Sequence, residues 1–174
     1  DVRAVDAEAL AETAARKAIS SAAPKEIAAG KYTVILEPAA VLDIVGFMFW
    51  DFSGQAILDE RSFLNNRIGS QLFGENVNIW DDVSHPLQSG ASFDGEGMRR
   101  QRVPLVEKGI VNRVVYARGT AEKMKKSELA AKAGVVVPTG HGFLLPNEMG
   151  EMPASIVFAA PMNPQTVTSK EGRN

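Results

Sequence analysis

Two carboxylates, two glycines and two arginines fall within the nine residues Ser92-Phe93-Asp94-Gly95-Glu96-Gly97-Met98-Arg99-Arg100. Asp94 and Glu96 are of the type that performs paired acid–base chemistry. Acids between glycines also suit a tight turn, with Asp94 bonding the local backbone and Glu96 pairing with Arg99, Arg100 or Arg102; this second reading is favoured. His85 and His141 are the only histidines. Together with Asp81, Asp82, Asp94 or Glu96 they form a conceivable zinc set. The spacing is long and carries no motif, so solvated or loop-packed imidazoles are the default. Gly140-His141-Gly142 offers backbone N–H groups to an anion. Asp43 stands in an apolar run, where a carboxylate is costly unless paired. A cap or an ion pair with Arg67 would offset that cost; a remnant of a metal position is the sharper alternative. Lys123, Lys125 and Lys126 read as a solvated helix face, without the aromatic interleaving of a nucleic-acid surface.

These residues must be positioned by a mixture of helices and strands. Asp6 to Ala23 reads as a helix, with Leu10, Ala14, Ala18 and Ile19 on one face and Pro24 as its end. Tyr32 to Leu36 reads as a short strand. Pro38 suits the first turn of a helix running to Trp50, apolar nearly all round and therefore expected to be buried. Asp51 to Asp59 reads as a connection. Arg61 to Leu72 has helical spacing in Phe63, Leu64, Arg67, Ile68 and Leu72. From Val77 the period shifts toward two. Val103 to Val106 and Ile110 to Ala117 flank Glu107-Lys108-Gly109 as the clearest hairpin in the chain. Pro104 cannot donate to a ladder, which argues for an edge strand or for a strand that begins there. Thr120 is a plausible N-cap of a charged helix to Ala133, followed by Gly134. A last strand, Ala154 to Ala160, lies between Pro153 and Pro161. The fold class is α+β, with N-terminal helices followed by a mostly antiparallel sheet. The domain plan is a helical lead-in over 1–29, a domain over 30–164 and a polar tail over 165–174.

The 174 residues suffice for one hydrophobic core. Apolar residues at 45% and charged residues at 23% are ordinary for a globular domain. A net charge of −2 gives no overall attraction to nucleic acid or an anionic membrane. With no cysteine, disulfides and thiolate metal sites are excluded within these residues. The apolar run Ala39 to Trp50 is shorter than the roughly 20 residues of a membrane span. The absence of an initial Met and of a recognisable leader suggests a piece of a larger, cytoplasmic protein.

The order of motifs resembles the TldD/PmbA family, once labelled modulators of DNA gyrase, over roughly Gly30 to Pro164. Gly30-Lys31-Tyr32-Thr33-Val34-Ile35-Leu36-Glu37-Pro38 resembles the strand-to-helix entry of that family's C-terminal half. Arg61-Ser62-Phe63-Leu64 with Ile68-Gly69 resembles its "S-x-L…x-G" segment, and Ile79-Trp80-Asp81-Asp82 its "T-x-x-D-D" strand. Phe93-Asp94-Gly95-Glu96-Gly97 resembles "F-D-x-E-G". Val106-Glu107-Lys108-Gly109-Ile110-Val111 resembles "I-E-x-G-x-L", and Thr139-Gly140-His141 its "T-G" loop. The resemblance implies two subunit types. One is a zinc peptidase with H-E-x-x-x-H on the helix after the first strand, and the other, PmbA-like, is a partner without that motif. Here Asp43 and Met48 stand at the histidine positions and Ile44 at the glutamate position. The resemblance therefore implies a non-catalytic subunit without its own cofactor, with zinc only in a TldD-like partner. It would pair with that partner or with itself and hold an extended peptide near Asp94, Glu96 and His141, with no role for nucleic acid or membrane. An active metallopeptidase with displaced ligands and a purely structural domain are the alternatives.

Overall fold

The computed structural model describes residues 5–145 and 150–159, and the Ala160 end of the last expected strand and the polar tail lie outside them. The backbone divides into two compact units, meeting between Ile35 and Leu36. In the first, α1 (Ala7–Ser21) starts where the Asp6 side chain accepts from the Ala9 amide at 3.0 Å, the usual N-cap arrangement. The strand expected at Tyr32 to Leu36 does not form: those residues carry no ladder and are exposed. A strand is defined by its neighbours, and β-propensity alone does not supply one.

The second unit opens with α2 (Pro38–Gly46), whose Pro38 lies in the first turn as expected. A 3₁₀ helix (Phe47–Asp51) follows. The expectation of burial fails here. No α2 residue is buried, Ile44 is 62% exposed and Phe47 79%. Only Val45 and Met48 from this stretch pack partly against the core, together with the buried Phe49. Asp43 is exposed and forms no ion pair with Arg67 among the described residues. Its carboxylate remains in water, so the desolvation cost that called for a partner does not arise.

The expected connection after Asp51 contains a helix, α3 (Gly54–Leu58), capped by the Ser53 side chain. The expected helix at 61–72 is instead a run of turns. Its apolar spacing is helical, but Glu60 and Asn66 adopt left-handed φ of 54° and 60°. Ser62 and Asn65 also divert backbone partners: the Leu64 amide donates to Ser62 Oγ, and Asn65 Nδ2 donates to the Ile57 carbonyl. Gly69, Leu72 and Phe73 amides donate to carbonyls of Val111 and Gly109, tying the segment alongside the hairpin.

The sheet has the order β3-β2-β1-β4, all antiparallel: β1 (Asn78–Asp81), β2 (Val103–Glu107), β3 (Ile110–Val111) and β4 (Ile156–Ala159). Lys108 and Gly109, both at positive φ, make the two-residue turn between β2 and β3, the geometry that matches strand twist. β3 is short because the chain leaves the sheet after Val111 and runs beside Ser53, to which Val115 bridges. Pro104 is the second residue of a central strand, near a strand's beginning and not at a sheet edge. It faces Trp80 where the β1–β2 register shifts, so the ladder is already interrupted at the missing N–H. The charged helix is two pieces, α4 (Arg118–Lys125) and a 3₁₀ helix (Glu128–Lys132), broken where Ser127 Oγ donates to the Met124 carbonyl. Ala117, not Thr120, is its N-cap. Phe52, Leu64, Ile79, Leu105, Val114, Tyr116 and Met124 form one buried cluster beneath the sheet and helices.

Candidate functional site

The end of β1 supplies the most heavily bonded side chain of the described residues. Ile79 and Asp81 share a buried face of the strand by its two-residue period, so Asp81 is carried inward by the register that buries Ile79. Its Oδ1 accepts from Arg100 Nη2 at 2.8 Å and lies 3.0 Å from His141 Nε2. Oδ2 accepts from the Ala154 and Ser155 amides, both at 2.7 Å. Four donors meet about four acceptor positions of an ionised carboxylate. Behind it, His141 Nδ1 lies 3.0 Å from Thr139 Oγ1, and that hydroxyl oxygen accepts from the Tyr116 amide at 2.8 Å. One buried carboxylate thus joins β1, the end of the acid–glycine stretch, the Thr-Gly-His loop and the entry to β4.

Burial alone pushes the Asp81 carboxyl up. The hydrogen bond and charge of His141, the Ser155 amide and the Arg100 guanidinium outweigh it and hold the group below its ordinary 3.8. A depressed native value means that the unfolded chain binds more protons on acidification. The stabilisation is complete above 3.8 and is lost as pH falls through the native value. In urea titrations, stability is expected to fall more steeply below about pH 4 in this chain than in the Asp81→Asn variant, whose residue 81 does not titrate. Equal slopes would remove Asp81 from the acid response.

Asp94 does what its flanking glycines suggest. Its Oδ1 accepts from the Glu96 and Met98 amides at 2.9 and 2.8 Å, and its Oδ2 reaches across to the Gly142 amide at 2.7 Å. The Gly95 amide donates to the Gly142 carbonyl at 2.8 Å, so the 92–100 and 139–144 loops run backbone against backbone. That approach requires glycine. A Cβ at Gly95 would collide with the Leu144 amide, and one at Gly140 (φ +76°) with Arg99 and Arg100 backbone.

Glu96 does not pair with Arg99, Arg100 or Arg102. Its Oε2 accepts from the Arg118 amide at 2.9 Å, and Arg118 Nη2 returns to the Glu96 carbonyl at 2.6 Å. This places the carboxylate at the first turn of α4, where the helix dipole favours an anion. Arg102 instead approaches Asp82 at 3.7 Å and lies 5.0 Å over the Trp80 ring, within cation–π range. A second buried acid, Glu151, carries no sequence signal. Oε2 accepts from Thr120 Oγ1 at 2.8 Å and Oε1 from the Gln55 amide at 3.2 Å, linking α3 to α4. Burial, then the Glu151 charge, push the Tyr116 phenol up to about 12, with Arg113 pulling the other way. That hydroxyl therefore stays protonated across the ordinary range.

Asp94 and His141 line one cavity of about 260 Å³ with Arg100, Phe93, Phe143 and Met152. Glu96 lines a separate hollow of about 120 Å³ with Glu151 and Lys123. His85 is elsewhere in its own turn, its Nδ1 3.3 Å from the Leu87 amide. Among the described residues no three of His, Asp and Glu gather at metal-binding distance. Where Asp81 and His141 do meet, the guanidinium of Arg100 occupies the position a cation would need. A hollow of about 750 Å³ beside the hairpin has the exposed Glu107, Lys108 and Lys132 as its charged lining residues.

Residues 29–171 match the family described as the PmbA/TldA metallopeptidase C-terminal domain. The chain belongs to the PmbA/TldD family. It is 36% identical over 89 residues to a Methanocaldococcus jannaschii protein, covering 49% of this chain and 21% of that one. To the metalloprotease PmbA homolog of Haemophilus influenzae it is 27% identical over 146 residues, covering 82% and 31%. A crystal structure from Thermotoga maritima, described as a candidate modulator of a DNA gyrase, superposes with a TM-score of 0.71 at 28% identity. That match covers 87% of this chain and 32% of the other. The chain thus spans a fifth to a third of these relatives. Its PmbA/TldD segment includes the Asp81 cluster, both clamped loops and α2. Asp43, Ile44 and Met48, where the sequence resemblance led one to expect the zinc motif, do not fit a zinc ion. One ligand-capable group remains, exposed, beside two apolar side chains. Among the described residues no helix is long and apolar enough to cross a membrane.

Proposed function

We propose that this chain is part of a non-catalytic, PmbA-like subunit of a TldD/PmbA-type metallopeptidase complex, and that it helps hold an extended peptide for a zinc-bearing partner. The observation that carries this reading is that α2 and the stretch after it, where the resemblance expects H-E-x-x-x-H, contain no histidine, in a chain that belongs to a family of metallopeptidases. Support for peptide holding comes from the clamped loops, which present Phe93, Phe143, Leu144 and Leu145 to solvent beside the cavity lined by Asp94 and His141. Exposed apolar side chains grouped beside a rigid backbone suit recognition of another chain. The zinc would belong to the TldD-like subunit, and the complex would work in the cytoplasm, on peptides and not on nucleic acid. The exposed apolar face of α2, with Leu42, Ile44 and the adjoining Phe47, supports pairing with that subunit or with a second copy.

The test is co-expression with a family member that carries H-E-x-x-x-H, followed by affinity purification and elemental analysis. The expected result is a stable complex with one zinc per H-E-x-x-x-H subunit and peptide hydrolysis only when both are present. Stoichiometric zinc and chelator-sensitive hydrolysis by this chain alone would overturn the proposal in favour of displaced ligands.

A further inference from the structure

The 92–95 segment lies between two neighbouring stretches of backbone and uses up its bonds toward only one of them. The Asp94 amide donates to the Met98 carbonyl at 2.8 Å and the Arg100 amide to the Ser92 carbonyl at 2.9 Å, with Phe93 opposite Arg99. Main-chain groups of an extended segment alternate in direction. The Phe93 N–H and C=O therefore point the other way, to the side where the Gly95 amide meets the Gly142 carbonyl. Gly95 has its partner there, whereas the Phe93 pair has none among the described residues. Phe93 is 61% exposed and lines the cavity of about 260 Å³ between the loops. That volume falls short of the roughly 300–1,000 Å³ of a site for a whole small molecule, and it suits a single side chain. Much of the wall is apolar, from Ala91, Phe93, Phe143, Met152 and Ala154. Its charged residues are answered within the fold, Asp94 by three backbone amides and Arg100 by Asp81. A charged group entering the cavity would lose water without gaining an uncommitted counter-charge, which is costly.

A main-chain donor and acceptor beside an apolar cavity is the arrangement that holds a strand-like peptide, since main-chain bonds grip the backbone and the cavity selects a side chain. We infer that Phe93 pairs through its N–H and C=O with an extended peptide, and that the adjoining cavity takes one large, uncharged, apolar side chain of that peptide. The inference rests on the peptide-holding reading above and gives it a specificity: a large apolar residue is accepted at one position, and lysine and aspartate are refused there.

The experiment is NMR titration of the full chain with the peptides acetyl-Ala-Ala-X-Ala-Ala-amide, where X is Leu, Lys or Asp, following the Phe93 amide and the Met152 methyl resonances. The expected result is a saturable shift of both with the Leu peptide, and binding roughly tenfold weaker for Lys and Asp. The fully N-methylated Leu peptide keeps the side chain but cannot donate a main-chain bond, and it should bind roughly tenfold more weakly than its parent. Ala91→Trp, at an exposed lining position, should weaken binding of the Leu peptide while leaving the Ala154 and Ser155 amide resonances in place. Equal binding of the Leu, Lys and Asp peptides, undiminished binding after N-methylation, or no saturable movement of either resonance overturns the inference. The peptide series needs no variant, so it decides the matter even if Ala91→Trp fails to fold. None of these probes involves a second subunit, so failure here is distinguishable from failure of the complex to assemble.

Discussion

Replacing Asp81 with alanine is expected to lower unfolding stability by about 3–5 kcal/mol, a large fraction of the stability of a typical domain. The magnitude follows from what the substitution strands. Arg100 and His141 would remain inward-facing without their shared acceptor, and the Ala154 and Ser155 amides would lose theirs. Each loss imposes the desolvation penalty of the abandoned group, and the charged one costs most. Asp81→Asn should be nearly as damaging, because its amide nitrogen has no lone pair for two of the four donors. Urea unfolding at neutral pH reads the difference. A cost below about 1 kcal/mol would show that the cluster is not an anchor.

The second large effect is expected at Gly140. Alanine there should cost about 3 kcal/mol, since left-handed strain and a backbone collision add. The collision is with the Arg99 carbonyl and with the Arg100 Cα, which a Cβ at this position would meet at 2.7 Å. Gly97→Ala is the internal control. Gly97 has a similar φ of +72° but open space around a Cβ. Only the backbone cost of about 1 kcal/mol then applies. The two variants, compared by urea midpoint and by amide exchange at Gly95 and Gly142, separate strain from collision. Equal costs would mean that the close approach of the loops contributes nothing.

The legible parts of this fold are those fixed by neighbours in sequence. The helix expected from Asp6 forms as α1, and the turn expected at Glu107-Lys108-Gly109 joins β2 to β3, because helix periodicity and turn chemistry act over a few residues. The misreadings share one cause. Phe63, Leu64 and Ile68 have helical spacing, yet the segment pairs with the hairpin backbone instead, and no local pattern records that competition. α2 is apolar all round, but hydropathy does not say which element lies over it. At the site, the turn role of Asp94 is readable from its glycines. The Asp81 cluster is not, since Asp81 meets Ser155 across 74 residues. Proximity in sequence offers Arg100 to Glu96, whereas the fold gives it to Asp81. Glu151 has no motif of any kind, and only the approach of α3 to α4 gives it a role.

The position of β1 between β2 and β4 has a consequence for how the chain is made. β2 emerges soon after β1, but the residues that close its other side come some 74 positions later. At ribosomal rates of about 5–20 residues per second, that side of β1 waits roughly 4–15 s for its partner. During this interval a nascent chain carries an unpaired edge beside an acidic side chain without its final amide donors. Asp81 thereby keeps a charge on the waiting strand, a feature that discourages pairing with another chain until β4 arrives.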